Sequence, residues 1–145
     1  MKRRHIMNIM LIDDEAAALE CLQSVLEQFS HDCAVFEKPE EAVSEYRNRK
    51  YDVVITDMRM PGMSGIQVLK NIRMINPEAK VIILTAFLDA ETAISASSNH
   101  VYALFNKPLN ITSLMETLQK IEEQNEKFAY TPQPAQQLIP AFSTF

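Results

Sequence analysis

Apolar and polar positions along the chain follow two alternating rhythms. Short, nearly continuous apolar runs recur five times, at Ile6–Ile12, Cys33–Phe36, Asp52–Thr56, Lys80–Leu84 and Val101–Phe105. Runs of this length, rich in Ile and Val and followed by turn residues, predict strands buried on both faces. Between them, apolar residues return every three or four positions. Leu19, Leu22, Val25, Leu26 and Phe29 predict a helix from about Glu15 to Phe29. Pro39 suits the first turn of a second helix, whose inner face is Ala42, Val43 and Tyr46. Ser64 and Gln67 have the spacing of a capping box, opening a third helix with Ile66, Leu69 and Ile72 that stops before Pro77. Asp89 predicts the N-cap of a fourth, Ala90–Ser98, with alanines inside. Asn110 caps a fifth that carries Ile111, Leu114, Met115, Leu118 and Ile121.

Five strand–helix units on short connections predict an α/β fold, a five-stranded parallel sheet with helices on both faces. The rhythm fades after about Gln124, and Tyr130–Phe145 holds Pro132, Pro134 and Pro140 without a period. The expected division is one domain over 1–124 and a Pro-rich linker or tail of low order over 125–145.

Composition narrows this further. With 145 residues, 47% hydrophobic and 23% charged, the chain suits one globular domain and not a disordered polymer. No apolar run approaches the roughly 20 residues that span a bilayer, so no membrane contact is expected. The net charge of −5 argues against a nucleic-acid surface on this domain. Met1-Lys2-Arg3-Arg4-His5 imitates the head of a signal peptide, but the apolar stretch behind it is short and runs into Asp13-Asp14-Glu15. It reads as a solvated arm, and the chain as cytoplasmic. Cys21 and Cys33 read as reduced core thiols, and His5, His31 and His100 as scattered surface residues.

In an open α/β sheet, ligands bind beyond the carboxyl ends of the strands. The first predicted strand is followed by Asp13, Asp14 and Glu15, the third by Asp57, the fourth by Thr85 and Ala86, and the fifth by Asn106, Lys107 and Pro108. Carboxylates gathered on one rim repel one another unless a cation joins them. An all-oxygen set favours magnesium, calcium or manganese over zinc. A lysine and a hydroxyl beside it suit a phosphoryl group, and a carboxylate can itself be the nucleophile. Taken singly, Asp13-Asp14 could merely open a helix and Asp57 could merely end a strand. Met58, Met60 and Met63 read as loop packing, and Pro61, Gly62 and Gly65 as turn formers.

The set Asp13-Asp14, Asp57, Thr85-Ala86 and Lys107-Pro108 resembles, in order and spacing, bacterial two-component response-regulator receiver domains. Val53–Gly65 (VVITDMRMPGMSG) is similar to the receiver phosphorylation loop almost residue by residue, and the likeness covers about Met7 to Glu123. It implies a flavodoxin-like sheet of strand order 2-1-3-4-5. It also implies a phosphorylation-dependent switch in which Asp57 accepts a phosphoryl group from a sensor histidine kinase or a histidine phosphotransfer protein. Asp13, Asp14, Asp57 and the backbone carbonyl of Arg59 would hold Mg2+, with Asp13 acting mainly through water. Lys107 would pair with the phosphoryl oxygens, Thr85 would be the switch hydroxyl, and the Ala86 N–H would donate to the same group. Such a chain is a phosphoacceptor that promotes its own phosphorylation and dephosphorylation, not an enzyme acting on others. Arg59 and Phe87 would border the path of attacking water.

Two positions depart from the family pattern. Leu104 stands where receivers carry Tyr or Phe, and strand alternation places Tyr102 on the same side as a substitute. His100 stands where glycine is usual, so Asn99 or His100 would take the left-handed helix cap. The readout, and a possible homodimer, would use the face made by the fourth helix, fifth strand and fifth helix. Two rivals are a nucleotide or flavin module and a phosphorylation-independent scaffold. The first needs a neutral, glycine-rich loop after the first strand, where this chain has Asp13-Asp14-Glu15.

Overall fold

Strands and helices alternate strictly along the chain in the computed structural model, which describes residues 6–130. The arm Lys2–Arg4, His5 and the segment 131–145 lie outside the described residues. The order is β1 (Asn8–Ile12), α1 (Ala16–Gln28), β2 (Asp32–Phe36), α2 (Pro39–Tyr46), β3 (Val53–Asp57), α3 (Gly65–Ile75), β4 (Val81–Thr85), α4 (Ala90–Ser98), β5 (Ala103–Asn106) and α5 (Ile111–Tyr130). The strands form one parallel sheet in the order β2-β1-β3-β4-β5. This is the flavodoxin-like arrangement that the resemblance implied. Among the described residues, no helix is long and apolar enough to cross a membrane.

The central strands are buried on both faces, and alternate residues feed two separate cores. Met10, Ile12, Val54, Val81 and Ile83 pack with Leu69 and Ile72 of α3 and Ala96 of α4. Ile9, Leu11, Val53, Ile55, Ile82 and Leu84 pack with Leu19 and Leu26 of α1 and Leu114, Leu118 and Ile121 of α5. At about 25 cal/mol per Å2, this two-sided burial is the main force holding the strand ends in register.

The caps follow the sequence. Ser64 and Gln67 close a reciprocal capping box on α3. Asp89 accepts from Thr92 N at 2.7 Å, and Asn110 accepts from Ser113 N at 3.1 Å. His100, at φ +60°, takes the left-handed position after α4, while Asn99 stays at φ −97°.

Several expectations need correction. β3 and β4 end one residue later than the apolar runs indicate, so Asp57 and Thr85 are last strand residues, not loop residues. α5 runs on to Tyr130, six residues past the boundary placed at 124, because no helix breaker intervenes before Pro132. His31 is buried, and its Nδ1 accepts from Met7 N at 3.3 Å. Cys21 is exposed on α1, while Cys33 is half-buried and burial pushes its thiol up to about 12. Both cysteines are free. Met58, Met60 and Met63 do pack against the α3-side core.

Candidate functional site

Parallel strands aim all their carboxyl ends at one rim. Asp57 lies beside Leu84 in the β3–β4 register, and Thr85 beside Asn106 in the β4–β5 register. Asp13 and Asp14 follow β1 directly, and Lys107 follows β5. One carboxylate oxygen from each of Asp13, Asp14 and Asp57 lies within 4.8 Å of the others. Lys107 Nζ stands 3.1 Å from Asp13 Oδ2 and 3.2 Å from Asp57 Oδ1. Residues 94 positions apart in the chain are thus joined by one hydrogen bond. Asp13 is buried, Asp57 half-buried and Asp14 exposed.

The electrostatics are lopsided. Burial pushes the Asp57 carboxyl above its ordinary range; the Lys107 charge pulls it down, Asp13 pushes it up again, and the rise prevails. Burial works against the Lys107 ammonium, but its hydrogen bond to Asp13 and the charges of Asp13 and Asp57 outweigh that and hold it above the usual value. One ammonium therefore faces three carboxylates. An all-oxygen site short of positive charge fits a hard divalent cation of the magnesium or calcium class, with Asp13, Asp14 and Asp57 as its ligands.

Backbone contacts keep these groups in place. Asp13 Oδ1 accepts from Glu15 N at 3.0 Å, which orients the carboxylate as α1 begins. Met58 N donates to Leu84 O, and Gly65 N donates to Met58 O, both at 2.8 Å. The fully buried Thr56 donates its hydroxyl to Asp57 O at 3.0 Å. Gly65 proves to be more than a turn former. A Cβ there would lie 2.6 Å from Asp57 O, so only glycine lets the start of α3 close on the loop behind Asp57. The signal was present in the sequence, since a poor helix former directly follows the N-cap serine.

The remaining rim residues surround this centre. Thr85 Oγ1 accepts from Phe87 N at 3.1 Å and donates to Phe87 O at 3.2 Å, so its hydroxyl is committed to the β4–α4 loop. Ala86 is exposed in that loop. Arg59, two residues beyond Asp57, sets its guanidinium 5.6 Å from the Phe87 ring centroid. The Lys107–Pro108 peptide is cis.

Tyr102 requires a correction. Leu104 packs against the α3–α4 side of the sheet, whereas Tyr102 packs against the α1–α5 side. β5 begins only at Ala103 and the chain bends at Tyr102, so strand alternation does not extend back to it. Tyr102 cannot stand in for an aromatic at Leu104.

Comparison with known proteins agrees with this geometry. The family described as response regulator receiver domain matches residues 9–119. The transcriptional regulatory protein ZraR of Salmonella typhimurium is 34% identical over 113 residues, 78% of this chain and 26% of its own. The DNA-binding transcriptional regulator NtrC of Klebsiella pneumoniae is 33% identical over 101 residues, 70% of this chain and 22% of its own. The chain thus spans about a quarter of the length of these curated relatives. Among solved structures, a receiver domain protein from Clostridium thermocellum superposes with a TM-score of 0.80 at 29% identity, covering 85% of this chain and 99% of its own. Response regulator TrrA of Thermotoga maritima, solved in complex with Mg2+-BeF, gives 0.73 at 31% identity, covering 80% and 99%. From the family match over residues 9–119 and the convergence of Asp13, Asp14, Asp57 and Lys107 on one rim, this chain belongs to the response regulator receiver domain family.

Proposed function

We propose that Asp57 is the phosphoacceptor of a two-component switch, charged by a phosphohistidine on a sensor histidine kinase or a histidine phosphotransfer protein. The observation that carries this reading is Lys107 Nζ bridging Asp13 and Asp57 at 3.1 and 3.2 Å where three carboxylates converge. An Asp57 oxygen attacks phosphorus in line. The new P–O bond forms as the P–N bond breaks, and the imidazole leaves with the electron pair and takes a proton from solvent. Lys107 exchanges its contact with Asp57 for the incoming phosphoryl oxygens, which relieves the charge on both.

Asp13, Asp14, Asp57 and the Arg59 carbonyl are the groups that would hold Mg2+, with Asp13 acting mainly through water. Bound there, Mg2+ neutralises phosphoryl oxygens that would otherwise repel the carboxylates. The Mg2+-BeF complex of TrrA supports this choice of ion. Thr85 would leave Phe87 O to donate to the phosphoryl group, joined by the Ala86 N–H. The two hydroxyl contacts that hold it are ordinary neutral bonds, each worth about 1 kcal/mol net. A charged acceptor outbids them. That movement reads out through the face of α4, β5 and α5, on which a partner or a second copy docks. Leu104 at the centre of the relay makes this coupling weaker than an aromatic would. The switch works in the cytoplasm, with no nucleic acid bound by this domain and no membrane contact.

The test is intact mass after incubation with acetyl phosphate and magnesium. One phosphoryl group should add to the parent and none to Asp57→Asn. Labelling of Asp57→Asn equal to the parent would remove Asp57 from the role, and an unlabelled parent would leave the scaffold reading in possession.

A further inference from the structure

Away from the rim, α5 and the end of α1 enclose a cleft of about 530 Å3. Phe29, Met115 and Leu118 give it an apolar lining, and His31 lines it too. Its lining is also acidic: Glu116, Glu123 and Glu126 contribute to it from positions that share one helix face. Among the described residues, none of these three has a basic side chain within ion-pair distance. An apolar trough with a one-sign rim fits a short basic segment with an apolar foot.

The chain carries such a segment in the sequence just ahead of Ile6. Met7 N donates to His31 Nδ1 at 3.3 Å, so the chain enters β1 beside a cleft residue. Ile6, immediately before it, is 57% exposed. The far half of α5 is tied to the same place. Asn125 Nδ2 donates to Asp52 Oδ1 at 3.3 Å, while Asp52 Oδ2 accepts from Asn8 N at 2.7 Å. Lys2, Arg3 and Arg4 therefore leave from a point that two hydrogen bonds link to α5. Extended chain covers at most ~3.6 Å per residue, so Lys2 reaches about 14 Å from Ile6. The ten positions from Glu116 to Glu126 span about 15 Å of helix. Attachment also gives a short arm an effective concentration on the order of millimolar for a site within its reach.

We infer that the α1–α5 cleft is the docking site of this chain's own basic segment Lys2-Arg3-Arg4, with Ile6 as its apolar foot. The cations pair with Glu116, Glu123 and Glu126 and clasp the C-terminal half of α5 to the start of β1. The inference is independent of the chemistry at Asp57.

The test is hydrogen exchange on the full chain. The triple variant Lys2→Ser, Arg3→Ser, Arg4→Ser should exchange roughly three- to tenfold faster over residues 116–126 than the parent, as expected for losing a few exposed pairs. About 1 M salt, with a Debye length near 3 Å, should erase the difference. Reversing the arm to Glu together with Glu116→Lys, Glu123→Lys and Glu126→Lys should restore the parent's protection. Equal exchange in parent and triple variant overturns the inference. So does loss of protection on removing residues 131–145 with the arm intact, which would make that segment the occupant. Protection that rises with protein concentration also overturns it, in favour of a second copy.

Discussion

Asp14 is the carboxylate of the rim that Lys107 does not reach, and this makes its replacement informative. Lys107 pairs with Asp13 and Asp57, while Asp14 lies within 4.8 Å of both and contributes repulsion. Asp14 is exposed, so the permittivity of bulk water gives a floor for that repulsion. At 4.8 Å the Asp14–Asp57 pair then costs about 0.9 kcal/mol, whereas Asp13, next to Asp14 in sequence, repels it in the unfolded chain too and adds little to the cost of folding. Its position just before α1 returns about 0.5 kcal/mol through the helix dipole. Asp14→Ala should therefore stabilise the metal-free protein by about 0.4 kcal/mol, a Tm rise of roughly 1–2 °C for a domain of this size. Magnesium should reverse the ranking. At about ten times its half-saturating concentration, the ion stabilises the parent by about 1.4 kcal/mol. The variant, short of a direct ligand, gains little. Calorimetric scans in EDTA and across a magnesium series should thus cross. A variant that melts below the parent in EDTA, or whose Tm rises as steeply with magnesium, would refute the reasoning.

Other substitutions test other parts of the site. Gly65→Ala drives a Cβ to 2.6 Å from Asp57 O, so it should cost about 1–3 kcal/mol in urea unfolding and slow labelling by acetyl phosphate; Ser64→Ala, which costs a similar amount at the same helix end, should leave labelling intact. The Asp57 carboxyl is raised in the fold, so its ionisation penalty is absent below the unfolded value of 3.8 and sets in as pH rises through the folded value. Metal-free parent should therefore lose stability relative to Asp57→Asn over that window and run parallel to it above, and a constant difference across the window would contradict the raised value. With beryllofluoride bound, Leu104→Tyr should enlarge the exchange changes over residues 85–107, while Tyr102→Leu, altered on the opposite face of the sheet, should leave them as in the parent.

The rim was legible in the sequence because its logic is carried by charge at strand ends. Asp13, Asp14, Asp57 and Lys107 are costly in any arrangement that leaves them buried apart, and a parallel sheet offers one place where strand ends meet. Element order was legible for a related reason, since β-branched runs and helical spacing point to the same two-layered burial. Boundaries were less so. The apolar run ahead of β1 begins at Ile6, but Ile6 is exposed, because it lies ahead of the paired register with β2, which begins at Asn8, and of Met7, whose carbonyl accepts from Asp32 N. The same limit hid the true end of β3, which continues to Asp57 through pairing with Leu84.

What remained hidden depends on contacts between segments distant in the chain. Nothing in the local composition around His31 distinguishes a surface imidazole from one whose Nδ1 caps Met7 N 24 residues away. Cys21 falls on the outer side of α1 although its neighbours Leu19 and Leu22 face inward, a rotation that only the packing of α1 on the sheet decides. Tyr102 is the sharpest case. Alternation is a property of paired strand, and β5 gains its pairing to β4 at Ala103, opposite Ile82. One residue earlier the chain bends, Tyr102 N donates to Val81 O, and the ring packs with the α5-side core. Tyr102 is thus built into the core on the side of the sheet away from Leu104, as is Phe105, the residue that follows Leu104. Against the family pattern, Leu104 is thus a replacement of the aromatic, not a displacement of it by two residues along the chain.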